Sequence, residues 1–214
     1  MSPSRLEEEG GVAGGDGVSR RRHRGRRWLA GGLGIVLAIP VLAGTVFFGL
    51  PPRPEAFRPI VEAAKPGVAW IDVPALRARL GGASRSPVLA DVRTPAEYAT
   101  SHLPGAIRVN PGSRGLPAEL RGALEDQERP HPKDTGLLLV TYCTVGWRSG
   151  GLARFLGDDG GRGIEVRNLE GGILAWANAG GALVDEAGRP TNRVHPHDPL
   201  VGALFLRGGR SALP

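Results

Sequence analysis

The chain holds one cysteine, Cys143, inside "LLLVTYCTVGWRSGG", residues 137 to 151. An apolar run leads in, a short turn containing Gly146 follows, and then come Arg148 and small residues that can open a helix. A thiol at the end of a strand and facing a helix N-terminus meets backbone N–H groups and the positive end of the helix dipole. Both lower its pKa. Arg148 adds a fixed charge with several N–H donors for an oxyanion, and Gly146 permits a backbone geometry that a side chain would block. The arrangement suits a cysteine that works as a thiolate or holds an extra anionic sulfur. Lone cysteines are commonly small buried hydrophobes. Here the strand end, glycine turn, arginine and helix start together favour a reactive site.

A single cysteine excludes an internal disulfide, a Cys-x-x-Cys pair and a multi-cysteine zinc site. Whatever Cys143 does, it does without a resolving thiol in the same chain. His195, His197 and Asp198 have the look of metal ligands, but two histidines beside prolines in a tail read as plain loop against a four-ligand requirement. No metal and no cofactor are expected.

The elements that must position Cys143 alternate. Residues 68–73, 88–93, 106–110, 137–142 and 164–170 read as strands. Residues 74–80, 94–102, 117–126, 148–159 and 172–180 read as helices between and after them. The 94–102 helix carries a clear start, with Thr94 as N-cap, Pro95 at the first helical position and Glu97 completing a capping box. The run 137–142 is the most apolar and is expected to be central. Alternation of this kind argues for a parallel α/β sheet covered on both faces. In such sheets ligands bind beyond the C-terminal strand ends, which is where Cys143 lies.

Outside that block the composition shifts. Residues 1–27 are polar, Gly-rich and end in "RRRHRGRR"; they read as a disordered, Arg-rich cytoplasmic tail. Residues 28–50 form an uncharged run reaching roughly 34 Å as a helix, enough for a hydrocarbon core of about 30 Å. A cleaved signal peptide competes with an uncleaved anchor here, since "VLAG" at 41–44 offers a small-residue cleavage site. The run continues past that site to Leu50, which favours the transmembrane helix. The flanking arginines put the N-terminus in the cytoplasm and the rest of the chain outside the cell membrane. Residues 51–66 read as a linker with a short helix interrupted near Pro59, 67–185 as the compact domain, and 186–214 as a Gly/Pro-rich tail whose apolar 201–206 docks on the domain. The net charge of +6 does not point to nucleic acid, because much of the excess sits in the block that abuts the membrane run.

Three blocks resemble the rhodanese-like sulfurtransferase family. "LADVRTPAEYATSHLPGAIRVN" (89–110) is similar to its Asp-x-Arg…Glu-Tyr…His-x-Pro-Gly-Ala stretch, "YCTVGWRS" (142–149) to its active-site loop, and "NLEGGILAWANAGGAL" (168–183) to its closing helix. The resemblance implies a five-stranded parallel sheet flanked by helices. It implies that Cys143 takes a sulfane sulfur from a donor such as thiosulfate, becomes a persulfide, and passes the outer sulfur to a small thiol, cyanide or a partner protein's cysteine. The amides of Thr144, Val145, Gly146, Trp147 and Arg148 would cradle that persulfide. Asp91 and Arg93 match supporting positions near the site, Arg93 expected in a buried ion pair; His102 matches a motif position in a structural turn. Cysteine phosphatases place five residues between Cys and Arg, whereas four separate Cys143 from Arg148. The tighter loop suits sulfur better than a phosphoryl group, whose equatorial oxygens all need contacts. Members that prefer thiosulfate often carry another basic residue in the loop; Thr144, Val145 and Trp147 are neutral. Trp147 either faces an apolar partner or packs under the loop. The alternative to a membrane-anchored sulfurtransferase is a non-catalytic rhodanese-like interaction module; retention of Cys143 with Arg148 favours the enzyme. The oligomeric state is not legible.

Overall fold

The computed structural model describes residues 53–82, 85–110, 116–127, 136–158 and 163–211. The Arg-rich tail and the apolar run 28–50 lie outside them, and among the described residues no helix is long and apolar enough to cross a membrane.

Five strands form one parallel sheet: β1 (Trp70–Ile71), β2 (Val88–Asp91), β3 (Ile107–Arg108), β4 (Leu137–Tyr142) and β5 (Ile164–Leu169). Their spatial order is β1-β5-β4-β2-β3, so the apolar β4 is the middle strand, as its composition requires. Side chains alternate across it. Leu138, Val140 and Tyr142 enter one core cluster, while Leu139 and Cys143 enter the other. Helices cover both faces, which makes this an α/β fold.

The connecting helices are α1 (Arg58–Ala64), α2 (Val73–Gly81), α3 (Pro95–Thr100), α4 (Ala118–Gln127), α5 (Trp147–Asp158), α6 (Gly172–Asn178) and α7 (Pro199–Phe205). Pro59 does not interrupt a helix. A 3-10 turn over Pro54–Phe57 runs straight into α1, and Pro59 sits in the first turn of α1, where its missing N–H costs nothing. Helix α2 starts one residue earlier than its proline suggests, because Asp72 caps it by accepting from the Ala75 amide at 2.7 Å. In the tail, Asp198 does the same for α7, accepting from the Leu200 and Val201 amides at 2.8 and 3.3 Å. Helix α7 then buries Val201 and Phe205. Phe205 meets Phe57 edge-on at 5.2 Å between ring centroids. The segments read as linker and tail therefore pack on one another and belong to the same core cluster as β1, β4 and α6.

Candidate active site

Cys143 follows β4 directly and α5 begins four residues later. The intervening loop is fixed from behind, and its carbonyls face away from the sulfur. The Cys143 carbonyl accepts from the Ile173 amide at 2.9 Å and the Thr144 carbonyl from the Leu174 amide at 3.3 Å, both from the first turn of α6. This approach requires Gly172: a Cβ there would lie 2.4 Å from the Cys143 carbonyl oxygen, and its φ of +56° is in the left-handed region. The Gly146 carbonyl accepts from Asn168 Nδ2 at 2.9 Å, and Asn168 Oδ1 takes the Thr141 hydroxyl at 3.2 Å. Gly146 itself has φ +93°.

With the carbonyls turned outward, amides turn inward. The Gly146 amide donates to Cys143 Sγ at 3.2 Å. Cys143 is only 1% exposed. Burial pushes its thiol up, but the Arg148 charge, the Ser149 amide and hydroxyl, and the Val145 amide pull it further down, leaving it below the ordinary thiol value. The Ser149 hydroxyl is buried and makes no hydrogen bond among the described residues.

Arg148 does not stand free. Its Nη1 donates to Glu97 Oε2 at 2.9 Å, and its Nη2 donates to Glu97 Oε1 at 2.6 Å and to Thr144 Oγ1 at 3.1 Å. Thr144 in turn donates to Glu97 Oε1 at 3.2 Å. Glu97 comes from α3, where it closes the capping box: its Oε2 accepts from the Thr94 amide at 2.9 Å, and its own amide donates to Thr94 Oγ1 at 3.3 Å. One carboxylate thus starts a helix and holds the loop arginine. Burial pushes Glu97 up, but Arg148 and the Thr94 donors bring its pKa down to about 2. Three of the five Arg148 N–H donors are taken by Glu97 and Thr144, and its charge is matched by the buried carboxylate.

Asp91 and Arg93 stand at the end of β2 and bind each other rather than the loop. Arg93 Nε reaches Asp91 Oδ1 at 3.0 Å, its Nη2 reaches Asp91 Oδ2 at 2.6 Å and the Ser101 carbonyl at 2.5 Å, and its guanidinium lies 5.8 Å from the Tyr142 ring centre. The pair stiffens the strand end beside the residue that precedes Cys143. His102 stacks on Tyr98 at 3.8 Å, donates from Nδ1 to the Tyr98 carbonyl, and pairs its backbone with Val184.

The profile of the rhodanese-like domain matches residues 73–179. The chain belongs to the rhodanese-like domain family. A sulfurtransferase of Allochromatium vinosum is 36% identical over 119 residues, 55% of this chain and 96% of that protein. An uncharacterized protein of Synechocystis sp. is 33% identical over 121 residues, 56% of this chain and 60% of that one. Among solved structures, a thiosulfate sulfurtransferase from Pseudomonas aeruginosa is 26% identical with a TM-score of 0.45, over 64% of this chain and 23% of that chain. The chain therefore spans little more than half of the Synechocystis protein and a minor part of the Pseudomonas one.

Cys143, Glu97 and Arg148 lie within the rhodanese-like match, and two further residues reach the site from outside it. Lys65, at the end of α1, donates to the Trp147 carbonyl, and its ammonium lies 4.4 Å from the Trp147 ring centre. Trp147 therefore lies against Lys65. His197 brings Nδ1 to 3.6 Å from Glu97 Oε1, and it holds φ +71°, a left-handed conformation that a histidine seldom adopts. Burial and the Arg148 charge lower its pKa, which favours the neutral ring. Sequence reasoning missed the second role of Glu97, and also Asn168, Lys65 and His197. The capping box explained Glu97 by itself, and nothing in the spacing ties positions 65 or 197 to position 143.

Proposed function

We propose that this protein is a sulfurtransferase that moves a sulfane sulfur through a persulfide on Cys143, with thiosulfate as a competent donor. The Cys143 thiolate attacks the outer sulfur of thiosulfate. The new S–S bond forms as the old one breaks, and sulfite leaves with the electron pair. A nucleophilic acceptor such as cyanide or a thiolate then takes the outer sulfur and returns Cys143 as the thiolate. The observation that carries this reading is the amide-lined sulfur, with the Gly146 N–H at 3.2 Å and a thiol held below its ordinary pKa. Amides of Thr144, Val145, Gly146, Trp147 and Arg148 are assigned to the persulfide, while Asp91 and Arg93 support the strand end. The named sulfurtransferase of Allochromatium vinosum, matched over nearly its whole length, supports the same chemistry.

The test is mass spectrometry of the full chain, in mild detergent, after incubation with thiosulfate. A gain of one sulfur atom on Cys143, with cyanide-dependent turnover absent in Cys143→Ser, is the expected result. No gain with thiosulfate or any other sulfane donor assigns the domain to binding instead. We further assign the run 28–50 to a membrane anchor with the rhodanese-like domain on the outer side, a reading supported by its length and by the arginines before it. Protease added to intact cells should cut the domain; protection of the domain overturns this placement.

A further inference from the structure

We propose that Lys65, delivered by a helix ahead of the matched domain, is the cation that binds the oxyanion end of an anionic sulfur donor at Cys143. The inference rests on the sulfur-transfer reading and begins with the charges. Thiosulfate is a dianion and must approach a thiolate. Arg148 is the cation that lowers that thiol's pKa, yet both of its terminal nitrogens are bound to Glu97, so its charge is matched by a buried carboxylate. Thiolate, Glu97 and Arg148 together sum to one net negative charge. His197 does not alter that sum, because its surroundings favour the neutral ring. A dianion entering this site needs a second cation.

Lys65 is built to supply it. Its stem runs past Gly150 and Gly151 of α5: a Cβ at Gly150 would lie 3.9 Å from Lys65 Cδ, and one at Gly151 would lie 3.7 Å from Lys65 Nζ. Those are ordinary contact distances, so the lysine stem lies packed along the first turns of α5. The ammonium ends at the Trp147 carbonyl and over the Trp147 ring, within the segment that surrounds the sulfur. It has three N–H donors, and among the described residues only the Trp147 carbonyl takes one. Burial lowers its ammonium pKa, and the Cys143 thiolate charge offsets only part of that. Of the chain's 27 cationic residues only Lys65 and Lys133 are lysines. A compact, reorientable ammonium is the group that can turn from a carbonyl to an incoming oxyanion. The neutral loop is thereby completed from outside itself.

The experiment uses the full chain in mild detergent. Thiosulfate binding is measured by calorimetry in a Cys143→Ser background, where no transfer follows, with and without Lys65→Met or Lys65→Arg. Lys65→Met should weaken thiosulfate binding about tenfold, the order expected for one charge-assisted contact. It should weaken methanethiosulfonate, a monoanion, less. Lys65→Arg, which keeps the charge on a bulkier planar head, should recover only part of the binding. With Cys143 present, Lys65→Met should raise KM for thiosulfate and leave kcat nearly unchanged, with an unfolding midpoint close to the parent's. Equal thiosulfate affinity with and without Lys65→Met overturns the assignment, as does a parent chain that binds no thiosulfate. Failure of Cys143 to gain sulfur overturns the transfer reading separately, because the calorimetry does not depend on transfer.

Discussion

Two carboxylate–guanidinium pairs stand at neighbouring strand ends of this domain, and they do different work. Asp91 and Arg93 are two residues apart, and both side chains are 0% exposed. Glu97 and Arg148 are 51 residues apart; the carboxylate side is 1% exposed and the guanidinium side 26%. The first pair closes on itself, on the Ser101 carbonyl and on the Tyr142 ring, and it reaches nothing that reacts. The second leaves its arginine at the rim beside Cys143, where the same charge that satisfies Glu97 also lowers the thiol pKa. Burial makes both pairs costly to break. What separates a clamp from a site component is the third group each arginine touches.

The largest effect expected from breaking this contrast falls on the sealed pair. Arg93→Met leaves the Asp91 carboxylate buried without its cation and should cost about 3–5 kcal/mol in denaturant unfolding. The alkylation pH profile of Cys143 in the folded protein should stay where it was. A shifted profile would mean that the sealed pair also tunes the thiol.

Acid should loosen the open pair next. Glu97 titrates near 4.5 when unfolded and at about 2 when folded. Its contribution is therefore complete above about pH 4.5 and is lost as pH falls toward 2, on the order of 3 kcal/mol. Glu97→Gln should flatten that part of the stability curve, measured by urea unfolding across the range. An unchanged acid limb would place the acid sensitivity elsewhere.

Arg148→Met should destabilise less than Arg93→Met, at a cost of about 2 kcal/mol, since the guanidinium is part-exposed and Glu97 keeps the Thr94 amide and the Thr144 hydroxyl. Its mark is chemical. The Cys143 thiol pKa should rise, so alkylation at pH 7 slows several-fold. The smallest change expected is Thr144→Val. It removes one hydroxyl bridging Glu97 and Arg148 and should cost about 1 kcal/mol, read from the denaturation midpoint.

The active-site loop and the segments flanking the domain were unequally legible. The run 137–142 was readable because a central parallel strand must be apolar on both faces, and its bounds match β4. The capping box at Thr94 and Glu97 was readable because it spans three residues. That Glu97 also holds Arg148 was not, since a helix start accounts for the glutamate completely. The tail resisted reading because α7 is a single short helix, stabilised by packing on Phe57 rather than by its own periodicity.

The sequence alone determined the alternation of strand and helix, the central strand, the cysteine at its end, the four-residue spacing to Arg148 and the glycine turn at Gly146. These are local properties: side-chain period, turn conformation and residue size within a few positions. Only the tertiary structure decided which groups gather on the active-site loop. Glu97 crosses from α3, Lys65 from α1, Asn168 from β5 and His197 from the tail, at sequence separations that no periodicity spans. Their meeting is set by the order in which parallel strands pair and by the burial of Phe57 against Phe205, and both are decided by packing across the whole domain.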